Sequence, residues 1–76
     1  MPGAVIVNRY LRVVQRHDAP GVPTYKWIDI YDSYDKDEAI RQLEIEEDAH
    51  PPRRVRRGAR WVKAPVFRVV TRRERL

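Results

Sequence analysis

Between Asp35 and Pro52 this chain carries the start and the stop of a helix, and the flanking segments are too rich in β-branched residues and prolines to continue it. Asp35 is placed to cap the first turn, with Glu38 three residues on in capping-box spacing. Asp37 and Glu38 add negative charge where the helix dipole favours it. Ala39, Ile40 and Leu43 fall on one stripe that is expected to cover a sheet. The run His50-Pro51-Pro52 ends the element, because a residue before proline is pushed out of the α region. Ile45 lies off that stripe and is expected to face solvent or serve as an interface residue.

Either side of the helix, the sequence reads as strand. Residues 4–17 are rich in Val, Ile and other strand formers, DAPGVP (18–23) is a loop, and TYKWIDIY (24–31) alternates. That alternation puts Tyr25, Trp27 and Tyr31 on one face and Ile28 and Ile30 on the other. After the helix, residues 53–60 read as a basic loop and 61–72 as a third strand, with 72–76 a frayed basic tail. Pro65 cannot donate to a ladder, so the third strand is expected at an edge or with a bulge. The expected fold is a single α+β domain over 1–76, ββαβ, with a three-stranded antiparallel sheet in the order 2-1-3 and one helix on one face. The other face is expected to stand open and apolar, which invites a dimer or a partner.

Seventy-six residues bury a thin core. Its expected anchors are Trp27, Trp61, Tyr10, Tyr25, Tyr31, Tyr34 and Phe67. The absence of cysteine removes disulfides and Cys-based zinc sites as staples. No apolar run has the length of a membrane span and no signal-peptide pattern opens the chain, so a cytoplasmic protein is expected.

Charge is sorted along the chain. From Asp29 to Asp48 nine acidic residues face two basic ones, and from Arg53 to Arg75 ten basic residues face Glu74 alone, within a formal net charge of +5. Such sorting creates one acidic and one basic surface, both able to steer a charged partner. The acidic surface comprises Asp32, Asp35, Asp37, Glu44, Glu47 and Asp48. The basic one comprises Arg53, Arg54, Arg56, Arg57 and Arg60, with Trp61 beside them. Arginine forks suit phosphate and an aromatic ring can stack on an unpaired base. The same arginines could instead pair with Glu44, Glu47 and Asp48 at the end of the helix.

Nothing in the sequence assembles a catalytic site. Ser33 is the sole serine, and His17 and His50 lie far apart without a nucleophile. Gly3, Gly21 and Gly58 are isolated, so no glycine-rich phosphate loop exists. Asp32, Asp35 and Asp37 lack the register and the glycine of a calcium loop. Carboxylates at that spacing can also imitate a phosphate backbone. The expectation is a protein without catalytic residues, metal or cofactor.

The pattern Tyr10-x-x-Val13, then Trp27, then Asp35-x-x-Glu38-Ala39-Ile40, then Phe67-Arg68-Val69-Val70 resembles small orphan proteins of bacteriophages and their bacterial hosts. That resemblance implies a ββαβ unit with a binding or inhibitory role, and it assigns no functional residues. Three roles follow as expectations. The first is a regulatory or accessory protein that docks on a protein partner through the open sheet face and sorted charges. The second is a DNA or RNA binder using Arg53 to Arg60 with Trp61. The third is a homodimer or larger homo-oligomer in which the acidic helix of one copy meets the basic loop of the next.

Overall fold

Strand β1, Asn8–His17, is the central strand of a three-stranded antiparallel sheet. The computed structural model describes residues 8–75, so residues 4–7 of the expected first strand and Leu76 lie outside the described residues. On one side β1 pairs with β2, Ile28–Ser33, and on the other with β5, Val66–Arg75. Helix α1, Lys36–Ala49, lies between them in sequence. The sheet order β2-β1-β5 is the expected 2-1-3.

Three features were not expected. The segment read as a basic loop contains strand β3, Arg53–Arg57, and the segment read as one third strand is two. Its first part, β4 (Arg60–Ala64), pairs with β3 in a separate hairpin, and its second part is β5. The break falls at Pro65, which follows a cis peptide bond and has no N–H to extend either ladder. Arg72 to Arg75 are not frayed: they pair with Leu11 to Asn8 as the far end of β5.

Cross-strand partners share a face, which sorts the sheet into two sides. Tyr31, Val14 and Val69 form one row, and Ile28, Arg16 and Phe67 another on the same side. The helix covers this side. Its Glu38 carboxylate accepts from the Tyr31 hydroxyl and from Ser33 Oγ (3.2 Å), and His50 at its end stands 6.2 Å from the Phe67 ring. A bulge changes the expected alternation of β2. Val14 pairs with Tyr31 but Gln15 pairs with Asp29, leaving Ile30 without a partner. Trp27 and Tyr31 therefore face opposite sides, and Ile28 shares the side of Tyr31.

Asp35 caps the helix as its spacing predicts, its Oδ1 accepting from the N–H groups of Asp37 (2.9 Å) and Glu38 (3.3 Å). Glu38 does not close the box, since its carboxylate is taken by β2. Ser33 Oγ accepts from the Asp35 N–H instead, at 3.0 Å. Replacing Asp35 with Ala orphans both donors and is expected to cost about 1 kcal/mol, lowering Tm by roughly 4–8 °C in a calorimetric scan. An unchanged Tm would mean that the cap contributes nothing.

The core is small and free of aromatics. The buried apolar residues are Val13, Val14, Ala19, Ala39 and Ala64, while Trp61, Tyr10, Tyr25 and Tyr34 are exposed. Of the expected helix stripe, Ala39 is buried and Leu43 half-buried, but Ile40 is exposed at the edge of the sheet contact. Ile45 is 51% exposed, as expected. The principal extents are 63 × 25 × 12 Å and the radius of gyration is 16.6 Å, against about 11 Å for a compact chain of this length. The molecule is a long thin slab, and the β3–β4 hairpin forms a second sheet separate from the main one.

Candidate functional site

The sheet side without a helix is polar, not apolar as expected. Arg72 donates to both oxygens of Asp29 (2.8 and 3.1 Å), and Asp29 Oδ1 also accepts from Gln15 Nε2 at 2.8 Å. Arg68 Nε donates to Gln15 Oε1 at 2.8 Å, and its guanidinium lies 4.0 Å over the Trp27 ring. His17 packs its edge on Trp27, with ring centroids 5.1 Å apart, while its Nδ1 accepts from the Ala19 N–H. At the other end Arg9 lies 4.2 Å over Tyr34, and both reach Glu74. Arg72 pairs opposite Leu11 and Asp29 opposite Gln15, so the Arg72–Asp29 bridge crosses β1 over Val13. That roof leaves Val13 only 1% exposed on a face no helix covers. Among the described residues no buried side-chain polar atom lacks a partner, so this face is satisfied by its own residues.

Arg72 and Gln15 hold the Asp29 carboxyl below the ordinary carboxylate range. A lowered folded pKa contributes stability that is present above the unfolded value, about 3.9, and is lost as pH falls through the folded one. Asp29→Asn should therefore be less stable than the parent at pH 7, and the difference should shrink below about pH 4. Urea midpoints at both pH values check this. A difference that persists undiminished at pH 2 would assign it to packing instead.

The hairpin gathers the basic residues. Arg57 and Arg60 close it across Gly58-Ala59, and Gly58 has φ +61° while Ala59 does not have a positive φ. Glycine at the first central position is the requirement of a II′ hairpin turn, which matches the twist of the strands it joins. Pairing of Arg56 with Trp61 and of Arg54 with Lys63 puts these four residues on one side, and all four are exposed. The Arg54 guanidinium is 5.2 Å over the Trp61 ring, which is 57% exposed. Arg56 Nε is turned back onto the Gly58 carbonyl at 3.0 Å.

The other side of the hairpin carries Arg53, Val55, Arg57, Arg60, Val62 and Ala64. Two of its arginines are structural. Arg57 Nε donates to the Asp18 carbonyl at 3.2 Å and Arg60 Nη1 to the Gly21 carbonyl at 2.7 Å. These carbonyls belong to a tight loop in which Val22 N–H bonds to Ala19 O and Tyr25 N–H to Val22 O. Gly21 at φ +85° permits that turn. The hairpin is thus fastened to the β1–β2 loop by guanidinium-to-carbonyl bonds.

The alternative pairing of the basic residues with Glu44, Glu47 and Asp48 is not made. Among the described residues the ion pairs of Arg and Lys are Arg9–Glu74, Arg16–Asp18 and Arg72–Asp29, none of them in the hairpin. Asp32, Asp35, Asp37, Glu44, Glu47 and Asp48 are all exposed and stay apart from it. His17 and His50 are not brought together either: one packs on Trp27, the other near Phe67. Sequence reasoning missed Lys63, whose position two residues after Trp61 is a strand alternation. The Val55–Val62 pair around Gly58-Ala59 was the signal for it.

Among the described residues no group of three or more His, Cys, Asp or Glu is arranged to hold a metal ion, and no helix is long and apolar enough to cross a membrane. The comparisons with known proteins give no match: no family model, no curated protein and no solved structure corresponds to this chain.

Proposed function

We propose that the protein is a non-catalytic binding module for nucleic acid, with the β3–β4 hairpin as its reading element. The observation that carries this reading is the shared exposed side of Arg54, Arg56, Lys63 and Trp61, with no carboxylate in ion-pair reach among the described residues. Cations left unneutralised on a rigid support attract phosphates and release their counterions. A two-stranded ribbon is also narrow enough for a major groove roughly 12 Å wide. Trp61, already stacked on one side by Arg54, offers the rest of its ring to an unpaired base.

Fluorescence anisotropy against a labelled duplex and a labelled single strand tests the reading. Three cations neutralising one phosphate each give a slope of log K against log salt of about −2.7 for duplex and about −2.1 for a single strand. Absence of binding to both at low salt would remove it.

A protein partner with a basic surface is the second reading. It is favoured by Asp37, Glu44, Glu47 and Asp48, exposed on the same helix as Ile45 and without cation partners among the described residues. An acidic helix of this kind raises association rates with a basic surface more than it raises affinity. The regulatory or inhibitory role expected from the sequence belongs to this reading.

A further inference from the structure

Behind the hairpin, where it meets the ends of β1 and α1, lies a cleft of about 340 Å³ lined by Arg16, Arg53, Arg57, Asp18 and His50. Its walls include Val55 and the buried Ala64, so the charged groups stand against an apolar surface. We propose that this cleft binds a phosphomonoester.

The donors are present and partly committed to orientation rather than to charge neutralisation. Arg16 gives Nε to Asp18 Oδ1 at 2.8 Å, which leaves its two terminal amino groups. Arg57 gives Nε to the Asp18 carbonyl and Nη1 to the Arg56 carbonyl, which leaves Nη2. The side chain of Arg53, on the same side of the hairpin as Arg57, makes no hydrogen bond among the described residues. Carbonyl acceptors fix a guanidinium without cancelling its charge, so three arginines face the single carboxylate of Asp18. The C-terminus of α1 also points here and contributes about half a negative charge. About 1.5 positive charges remain, which a phosphomonoester, carrying about 1.5 to 2 negative charges near pH 7, balances more closely than the single charge of an internal phosphodiester. Arg16 and Asp18 side chains are 33% and 31% exposed, and partial burial weakens the screening that makes open surface charge ineffective. Guanidinium forks supply the paired donors that phosphate oxygens accept.

Such a group reaches the cleft as a free nucleotide or as the terminal phosphate of a nucleic-acid strand. The cleft uses the side of the hairpin opposite Arg54, Arg56, Lys63 and Trp61, so this site and the proposed nucleic-acid surface can fail independently.

The test is titration of the intact protein, by calorimetry and amide chemical shifts, with inorganic phosphate, adenosine monophosphate and adenosine. Phosphate and the monophosphate should bind one to one, with shifts centred on Arg53, Arg57 and Ala64, and adenosine should not bind. Arg53→Gln, at an exposed position, should keep the parental melting temperature and weaken the monophosphate at least about tenfold, as expected for a charge-assisted bond. The triple outer-side variant R54Q/R56Q/K63Q should bind it as the parent does. A 5′-phosphorylated oligonucleotide binding more tightly than both the monophosphate and its 5′-hydroxyl counterpart supports a strand end as the source. A monophosphate that matches the phosphorylated oligonucleotide supports a free nucleotide. Equal binding of adenosine and its monophosphate, no binding of either phosphate, or an affinity untouched by Arg53→Gln would overturn the proposal.

Discussion

Replacing Arg54, Arg56 and Lys63 together with Gln is expected to weaken nucleic-acid binding on the order of a thousandfold at low salt. Each cation makes a charge-assisted contact of about 1.5 kcal/mol at the lower end, and three together amount to roughly 4.5 kcal/mol, near three decades in affinity. The salt slope should flatten towards zero in the same variant, because its value counts the phosphates neutralised. Folding should be untouched. These side chains are exposed, and the bonds that fasten the hairpin come from Arg57 and Arg60 on its other side. Trp61→Ala separates the two substrates further: base stacking is worth about 1–3 kcal/mol for an unpaired strand, so the single-strand affinity should fall and the duplex affinity should change less. A parental salt slope in the triple variant would move binding to another surface, with Arg73 and Arg75 of β5 the next cations to replace.

That prediction differs from one built on the sequence, and the reason is the hairpin. Read as a loop, Arg53 to Arg60 offers five equivalent arginines. Folded as β3, turn and β4, the same residues alternate sides, so Arg57 and Arg60 become fasteners while Lys63 joins the exposed set. The helix was legible because Asp35, Pro51 and Pro52 are local signals that need no tertiary partner. The three-strand order was legible because one helical crossover leaves few arrangements for so short a chain. The hairpin was hidden by its arginines, which masked the Val55–Val62 alternation. The roof on the open face was also out of reach. It joins Asp29 in β2 to Arg72 in β5 across the strand between them, a pairing that no sequence spacing announces. The Ile30 bulge had the same effect on β2, since one extra residue turns every side chain beyond it to the other face.

Val14→Ala is expected to lower Tm by on the order of 10 °C or more, a larger change than removal of any exposed aromatic residue. Val14 is fully buried at the centre of the middle strand, between Tyr31 and Val69 on the side that α1 covers. Truncation removes two methyl-sized groups, about 1.6 kcal/mol of transfer free energy, and leaves a cavity that adds to the cost. A domain of this length has roughly 4–11 kcal/mol in total, and each kcal/mol shifts Tm by about 4–8 °C. The valines Val13 and Val14 are the largest fully buried side chains, so truncation at Val14 removes a major part of a small core. Trp61→Ala is the contrasting case: its ring is 57% exposed on the outer side of the hairpin, and surface substitutions usually fall within about 0.5 kcal/mol. Calorimetric scans of both variants decide the matter. If Trp61→Ala proves the more destabilising of the two, the hairpin is packed against another surface in solution, and a second copy of the chain becomes the first candidate for that surface.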